Sequence, residues 1–293
     1  MIKRSKGEKV FSVFNYILLT FIGITTLYPL LYTFTISVST SAEASRVGLH
    51  ILPKLDKMTI SAYTMVFKNS EIWTAYGYTL FRTVVGTALS VLVTILYGYA
   101  LSRPNLPMKK FFSLYLLITM FFHAGQIPAY LNIKSLGLLN NVWVYILPTL
   151  ISAYNVVVSK SFFVAIPESL NESAKIDGAG EFRTFFQVIF PLSKAIIMTL
   201  ALWVAVAHWN TWLDALLYMT DSSKITVQMY LQRIMEGNTQ LLSNGMETSK
   251  AEEVIPVTIQ SASIIVSVIP ILCFYPFIQK YFATGVTLGA IKG

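Results

Sequence analysis

Six stretches of the chain, residues 10–42, 83–102, 111–133, 135–159, 195–213 and 254–279, contain no Asp, Glu, Lys or Arg, and polar segments separate them. Every stretch has at least 19 residues. A hydrocarbon core of about 30 Å is crossed by about 20 residues rising 1.5 Å each, so each stretch can make one helical crossing. Lipid offers backbone amides no partner, whereas a helix satisfies its own. The pattern predicts an all-α integral membrane protein with six transmembrane helices near 12–38, 79–101, 111–131, 141–164, 193–216 and 256–281, in one domain over 1–293.

Composition agrees: 55% of the residues are hydrophobic and 12% charged, half the charged share of a soluble domain. The net charge of +8 suggests nucleic acid until its placement is considered. If loops alternate sides, the N-terminus through Lys9, residues 103–110, residues 160–194 and the tail from Lys280 hold 13 Lys/Arg and 5 Asp/Glu, and everything else holds 9 of each. One side carries the whole excess. The positive-inside rule makes that side cytoplasmic, puts both termini there, and leaves the basic balance with no need of nucleic acid.

Lys3, Arg4, Lys6 and Lys9, an apolar run and Ala42-Glu43-Ala44 imitate a secretory signal with its cleavage site. The run from Val10 to Val38 is much longer than a signal's apolar region, so it is expected to stay as the first span. Cys273 is the single cysteine, inside the last apolar stretch, and is expected to fill space there. Outside the membrane, residues 39–80 carry Pro53, Tyr63, Phe67, Trp73 and Tyr76, which suits either a folded lobe or a tether with interfacial aromatics. Residues 218–253 form an acidic outer loop with Asp221, Glu236, Glu247, Glu252 and Glu253. Arg103-Pro104-Asn105-Leu106-Pro107 reads as a tight turn between helices.

The segment between the fourth and fifth spans is the most informative. Pro167 through Lys175 opens like a helix, with Glu168 and Glu172 toward the positive end of its dipole. Asp177-Gly178 breaks it. A second helix is expected from about Ala179, where Phe182, Phe185, Phe186 and Ile189 recur at i, i+3, i+4 and i+7 and make one apolar stripe before Pro191. Such an elbow either packs beneath its own bundle or meets a partner surface.

Glu172-Ser173-Ala174, Gly178 six positions after the Glu, and Val188-Ile189-Phe190-Pro191 resemble the EAA loop of bacterial ABC importer permeases, the MetI-like family, with Ser173, Val188 and Phe190 as mild departures. The run Glu172 to Gly180 is similar to its carbohydrate-uptake branch, as are Trp209-Asn210-Thr211-Trp212 and the tail Gly285 to Gly293. Ile127-Pro128-Ala129-Tyr130-Leu131 and Lys134-Ser135-Leu136-Gly137-Leu138 resemble the LplC/YtcP-type permeases.

This resemblance implies a type I ABC importer permease bundle in the bacterial cytoplasmic (inner) membrane, taking up oligosaccharides or polysaccharide fragments. It implies four kinds of partner: a homologous second permease, two ABC ATPase subunits, an extracytoplasmic solute-binding protein, and lipid. The chain carries no Gly-x-x-x-x-Gly-Lys-Ser/Thr loop, so it is expected to be no enzyme and to bind no cofactor, with ATP and Mg on the ATPase subunits. The coupling loop spans 166–191, with Glu168, Leu170, Glu172, Ala174, Asp177 and Gly178 expected to engage the ATPase. Glu172 is assigned a charge-assisted hydrogen bond there. Polar residues inside spans mark a substrate pathway through Tyr154, Asn155, His208, Trp209, Asn210 and Asp214, or bond between helices. His123 and Gln126 have no role beyond packing.

An intramembrane enzyme and a passive channel are the alternatives. His50, His123 and His208 are too scattered in sequence to suggest a metal motif, and a channel would leave the elbow without a use.

Overall fold

The computed structural model describes residues 6–46, 48, 52–243 and 256–290. Its α-helices are α1 (Lys6–Ser37), α2 (Ser41–Ala44), α3 (Ser61–Lys68), α4 (Ser70–Ser102), α5 (Lys109–Phe121), α6 (Gln126–Ser135) and α7 (Ala153–Val164), followed by α8 (Ser169–Ile176), α9 (Glu181–Thr184), α10 (Phe190–Leu192), α11 (Lys194–Asn210), α12 (Leu213–Tyr218), α13 (Val227–Ser243) and α14 (Pro256–Ala290). Among the described residues the strand-like pairing is one isolated bridge, Ser39 with Met58. Glu247, Glu252, Glu253 and His50 lie outside the described residues.

Three helices are long and apolar enough to cross a bilayer as they stand: α1, α4 and α14 through Cys273. Three more crossings arise when bent pairs are counted together: α5 with α6 at 118°, the turns of 142–149 with α7 at 50°, and 181–192 with α11 at 80°. The stretches 111–131, 141–164 and 193–216 are not single helices but break at 122–125, 150–152 and 211–212, and the third bent pair turns at Ser193, ahead of α11. The causes are local. Gly125, at φ 81°, turns the chain out of α5, and Pro128 falls in the first turn of α6, where an N–H has no intrahelical acceptor. α6 stops at Gly137, φ 68°, where Leu138 N–H reaches the Ile133 carbonyl at 3.1 Å and Gly137 N–H the Lys134 carbonyl at 3.1 Å.

By their contacts the residues fall into two compact units, Met1–Ile72 with Leu231–Ile269 and Trp73–Tyr230 with Pro270–Gly293. In the first unit, the apolar window of α1 has no residue buried within the chain, as suits a helix whose partners are lipid or another subunit. Beyond it, described residues on both sides of Glu43 converge on that carboxylate. That buried side chain pairs with Lys54 at 2.6 Å, Arg46 at 2.9 Å and Lys57 at 3.4 Å, and Tyr63 Oη meets Ser37 Oγ at 2.7 Å.

The Lys54 hydrogen bond, outweighing desolvation and joined by the nearby Arg46 charge, holds the Glu43 carboxyl below its ordinary value of 4.5. A depressed carboxylate stabilises the fold above its unfolded pKa, and that contribution fades as pH falls through the folded one. Exchange protection factors of the Thr40 and Thr59 amides, which donate to Lys57 and Val38 carbonyls, are expected to fall as pH drops below about 4.5, and Glu43→Gln should remove that dependence.

From Trp73 onward α4 belongs to the second unit and organises it. Asn69 Oδ1 caps its start by accepting from Glu71 N–H at 2.9 Å, and Pro104 forbids its continuation beyond Ser102. Lys109 Nζ closes its last turn on the Ser102 and Arg103 carbonyls at 3.3 and 2.9 Å. Two glycines allow close crossings. A Cβ on Gly98 would stand 2.4 Å from Ser159 Oγ and 3.0 Å from the Lys160 backbone nitrogen on α7; one on Gly86 would stand 2.6 Å from His208 Nε2 on α11. Gly98→Ala is expected to cost about 1–3 kcal/mol by overpacking against backbone. Gly86→Ala meets only a side chain, so His208→Ala should restore the melting temperature in detergent.

Candidate functional site: a clamped elbow and a polar corner

The elbow is built by a helix stop. In α8, Ala179 N–H bonds the Ala174 carbonyl at 2.9 Å and Gly178 N–H the Lys175 carbonyl at 3.0 Å, with Gly178 at φ 76°. This double closure needs a left-handed residue, which glycine supplies without a Cβ clash. A Cβ at Gly178 would meet nothing within 4 Å, so backbone conformation alone sets the requirement.

The return limb differs from a plain helix. It begins at Glu181, and Phe185–Ile189 forms a π-helical turn. Pro191, just beyond, cannot donate to the Gln187 carbonyl and would crowd it, and the wider turn relieves that conflict. The expected stripe is split as a result. Phe185 and Ile189 are buried with Val91, Ile95 and Tyr99 of α4, Phe163 of α7, and Ile196 and Leu200 of α11. Phe182 is 78% exposed and Phe186 47%. One half of the stripe anchors the elbow in its own bundle and the other remains uncovered.

A polar hub fixes the first limb. Arg103 Nη2 donates to Glu168 Oε1 at 2.9 Å and Nη1 to Oε2 at 3.1 Å, while its guanidinium lies 5.6 Å from the Tyr99 ring centroid. Asn171, 4% exposed, donates to Glu168 at 3.2 Å and accepts from Tyr99 Oη at 3.3 Å. Lys175 and Glu181 pair across the bend at 3.0 Å. Of the six coupling residues expected from sequence, Glu168 is therefore held within the chain, Ala174 is buried, and Leu170, Glu172, Asp177 and Gly178 are exposed. Among the described residues the Glu172 carboxylate has no ion-pair or hydrogen-bond partner, and Ile176 one turn on is 87% exposed.

The six pathway residues are not gathered into one site. Tyr154 is exposed against Trp203, with ring centroids 6.0 Å apart, and Asn155 is buried. His208 is buried against α4 at Gly86. Trp209 is 5% exposed, its ring 6.4 Å from that of Tyr76, so it presents little surface to a sugar. Asn210 is exposed at the end of α11. Asp214 is not an open polar group, for Arg82, 1% exposed, grips it with Nη2–Oδ2 at 2.6 Å and Nη1–Oδ1 at 3.2 Å.

Arg82 also completes the break between α11 and α12. Its Nη1 donates to the Thr211 carbonyl at 3.0 Å, a group at the negative end of α11, and its guanidinium lies 4.9 Å from the Tyr145 ring centroid. Tyr145 Oη in turn donates to the Lys224 carbonyl at 2.6 Å, and Thr79 Oγ1 accepts Val227 N–H at 2.9 Å. Sequence reading missed Arg82, Tyr99, Arg103 and Asn171 as site residues. A signal for Arg82 was present: opposite charges stand at the edges of two apolar stretches, and neither is tolerated there alone.

A family model described as "Binding-protein-dependent transport system inner membrane component" matches residues 106–288. The protein LplC of Bacillus subtilis (strain 168) is 38% identical over 99% of this chain and 97% of its own length. The polygalacturonan/rhamnogalacturonan transport system permease protein YtcP of the same organism is 36% identical over 98% of this chain and 99% of its own. Among solved structures, a chain of a bacterial ABC transporter involved in the import of the acidic polysaccharide alginate superposes with a TM-score of 0.86 at 30% identity, covering 96% of this chain and 100% of that one.

Proposed function

We infer the function of a chain that belongs to the inner membrane components of binding-protein-dependent transport systems. It is a multi-pass, non-catalytic permease subunit of an ABC importer, and ATP hydrolysis belongs to separate ATPase chains. Its cargo is an oligosaccharide or polysaccharide fragment, because a 36% identical relative along its full length is named for pectic polysaccharide transport. It forms half of the translocation pathway beside a homologous second permease, receives cargo from a solute-binding protein, and seats on two ATPase subunits that hold ATP and Mg.

The observation that carries the coupling assignment is the elbow itself: a helix stop at Gly178, anchored by Phe185 and Ile189, that leaves Glu172, Ile176 and Phe182 uncovered. A free carboxylate flanked by apolar side chains suits a docking cleft with a basic or N–H donor. The Lys/Arg excess summed over the N-terminus through Lys9, residues 103–110, residues 160–194 and the tail from Lys280 supports the reading that the elbow and both termini are cytoplasmic. To test the function, the complex is purified with its binding protein and ATP hydrolysis measured against a panel of oligosaccharides. Stimulation by pectic fragments is expected. Stimulation only by a non-saccharide solute would overturn the cargo assignment.

A further inference from the structure

The membrane-crossing helices differ in continuity. α1 contains Pro29, α14 contains Pro270, and the other candidate crossings are bent helix pairs. Among the described helices long enough to cross alone, α4 is the one without proline, running 33 residues from Ser70 to Ser102.

Arg82 lies within it, and Arg103 directly follows its last residue. Arg82 and Arg103 are separated by 21 positions, which at 1.5 Å per residue is about 31 Å, the thickness of a hydrocarbon core. Both hold a carboxylate through both terminal nitrogens, Asp214 at 2.6 and 3.2 Å and Glu168 at 2.9 and 3.1 Å. Both lie over a tyrosine ring, Tyr145 and Tyr99. Both carboxylates stand at a discontinuity, since Asp214 follows the α11–α12 break and Glu168 opens the elbow.

We propose that the stretch of α4 from Arg82 to Ser102 is a strut joining the Thr211–Asp214 corner to the elbow, with Arg82 and Arg103 as the positioning residues that fasten the two ends of that stretch. The proposal rests on the reading that the elbow couples to an ATPase. A two-point grip transmits orientation as well as distance, which a single charge contact does not. An unbroken helix carries displacement along its axis, whereas a proline-kinked or bent crossing yields at the break. Nucleotide-driven motion of the elbow would thus reach the exposed Asn210 at the corner, where α11 ends.

The test needs no knowledge of the cargo. In the assembled complex carrying Cys273→Ser and Asn210→Cys, maleimide labelling is timed without nucleotide and after trapping with ATP and vanadate. The two rates are expected to differ about tenfold, within the ordinary range of coupling between sites. Arg103→Glu should reduce the ratio to about one, Arg103→Glu with Glu168→Arg should restore it, and Arg82→Lys and Arg103→Lys, which keep the charge without the fork, should give intermediate ratios. The melting temperature of each variant in detergent is read beside the ratio: a positioning role predicts loss of the ratio in Arg103→Glu at a melting temperature close to the parent's, and a ratio lost only in step with stability would overturn the strut. Equal rates in the parent complex, or an unchanged ratio in Arg103→Glu, would overturn the strut. Gly178→Val separates the two layers: loss of the ratio there with retention in Arg103→Glu overturns the strut alone, and retention in both overturns the coupling reading beneath it.

Discussion

Gly178→Val abolishes the substrate-stimulated part of ATP hydrolysis in the assembled importer and leaves membrane insertion at the parent level. The residue sits at φ 76°, where an L-residue costs about 1–2 kcal/mol and a β-branched one more. The backbone escapes by giving up the bonds from Gly178 and Ala179 to Lys175 and Ala174, so the tip that presents Glu172 and Ile176 changes direction. Space is available for the side chain, so the fold beneath the elbow is spared. Asn, which tolerates left-handed backbone, should keep most of the stimulation. Steady-state hydrolysis with and without loaded binding protein, beside the amount of permease in the membrane fraction, checks the result. Equal loss for Val and Asn would point to packing, not backbone conformation.

Asp214→Ala lowers stability by about 3–5 kcal/mol, because it strands a buried guanidinium that keeps only the Thr211 carbonyl and the Tyr145 ring. Removing both charges, as in Arg82→Met with Asp214→Leu, should recover most of that loss, since apolar side chains of similar volume replace a buried pair without strong penalty. Denaturation in detergent measures both. Recovered stability without recovered coupling in the double variant would separate what the pair does for the fold from what it does for transport.

Much of this architecture is legible in one sequence, for reasons specific to each part. α1, α4 and α14 follow from uninterrupted apolar runs, because lipid demands them. The breaks at 122–125, 150–152 and 211–212 do not, since apolarity records depth in the membrane and not direction. Only Gly125 marks the sharpest bend, and a glycine in an apolar run is ambiguous. The elbow is readable from Asp177-Gly178, and its closure by Gly178 and Ala179 is what that pair signals. Its return limb is not, because the π-helical turn ahead of Pro191 alters the periodicity on which the stripe from Phe182 to Ile189 was read. Glu168 belongs to the same loop as Glu172 but points to Arg103, 65 positions earlier, and sequence spacing carries no trace of such a contact. Asp214 is drawn to Arg82 for the same reason. Polar residues in a span announce that a partner exists, and the fold decides whether it is a ligand or another side chain.

Cross-linking from the tip of the elbow tests the proposed contact with a nucleotide-driven partner most directly. A cysteine placed by Ile176→Cys in a Cys273→Ser background, on a side chain 87% exposed, is treated with a short bifunctional reagent in membranes containing the whole transporter. The predicted product joins this chain to the ATPase subunit, and the thiol is blocked by impermeant reagents only when the cytoplasmic face is open. Labelling from the outer face of sealed cells, or a cross-link to any chain other than the ATPase, would contradict the account.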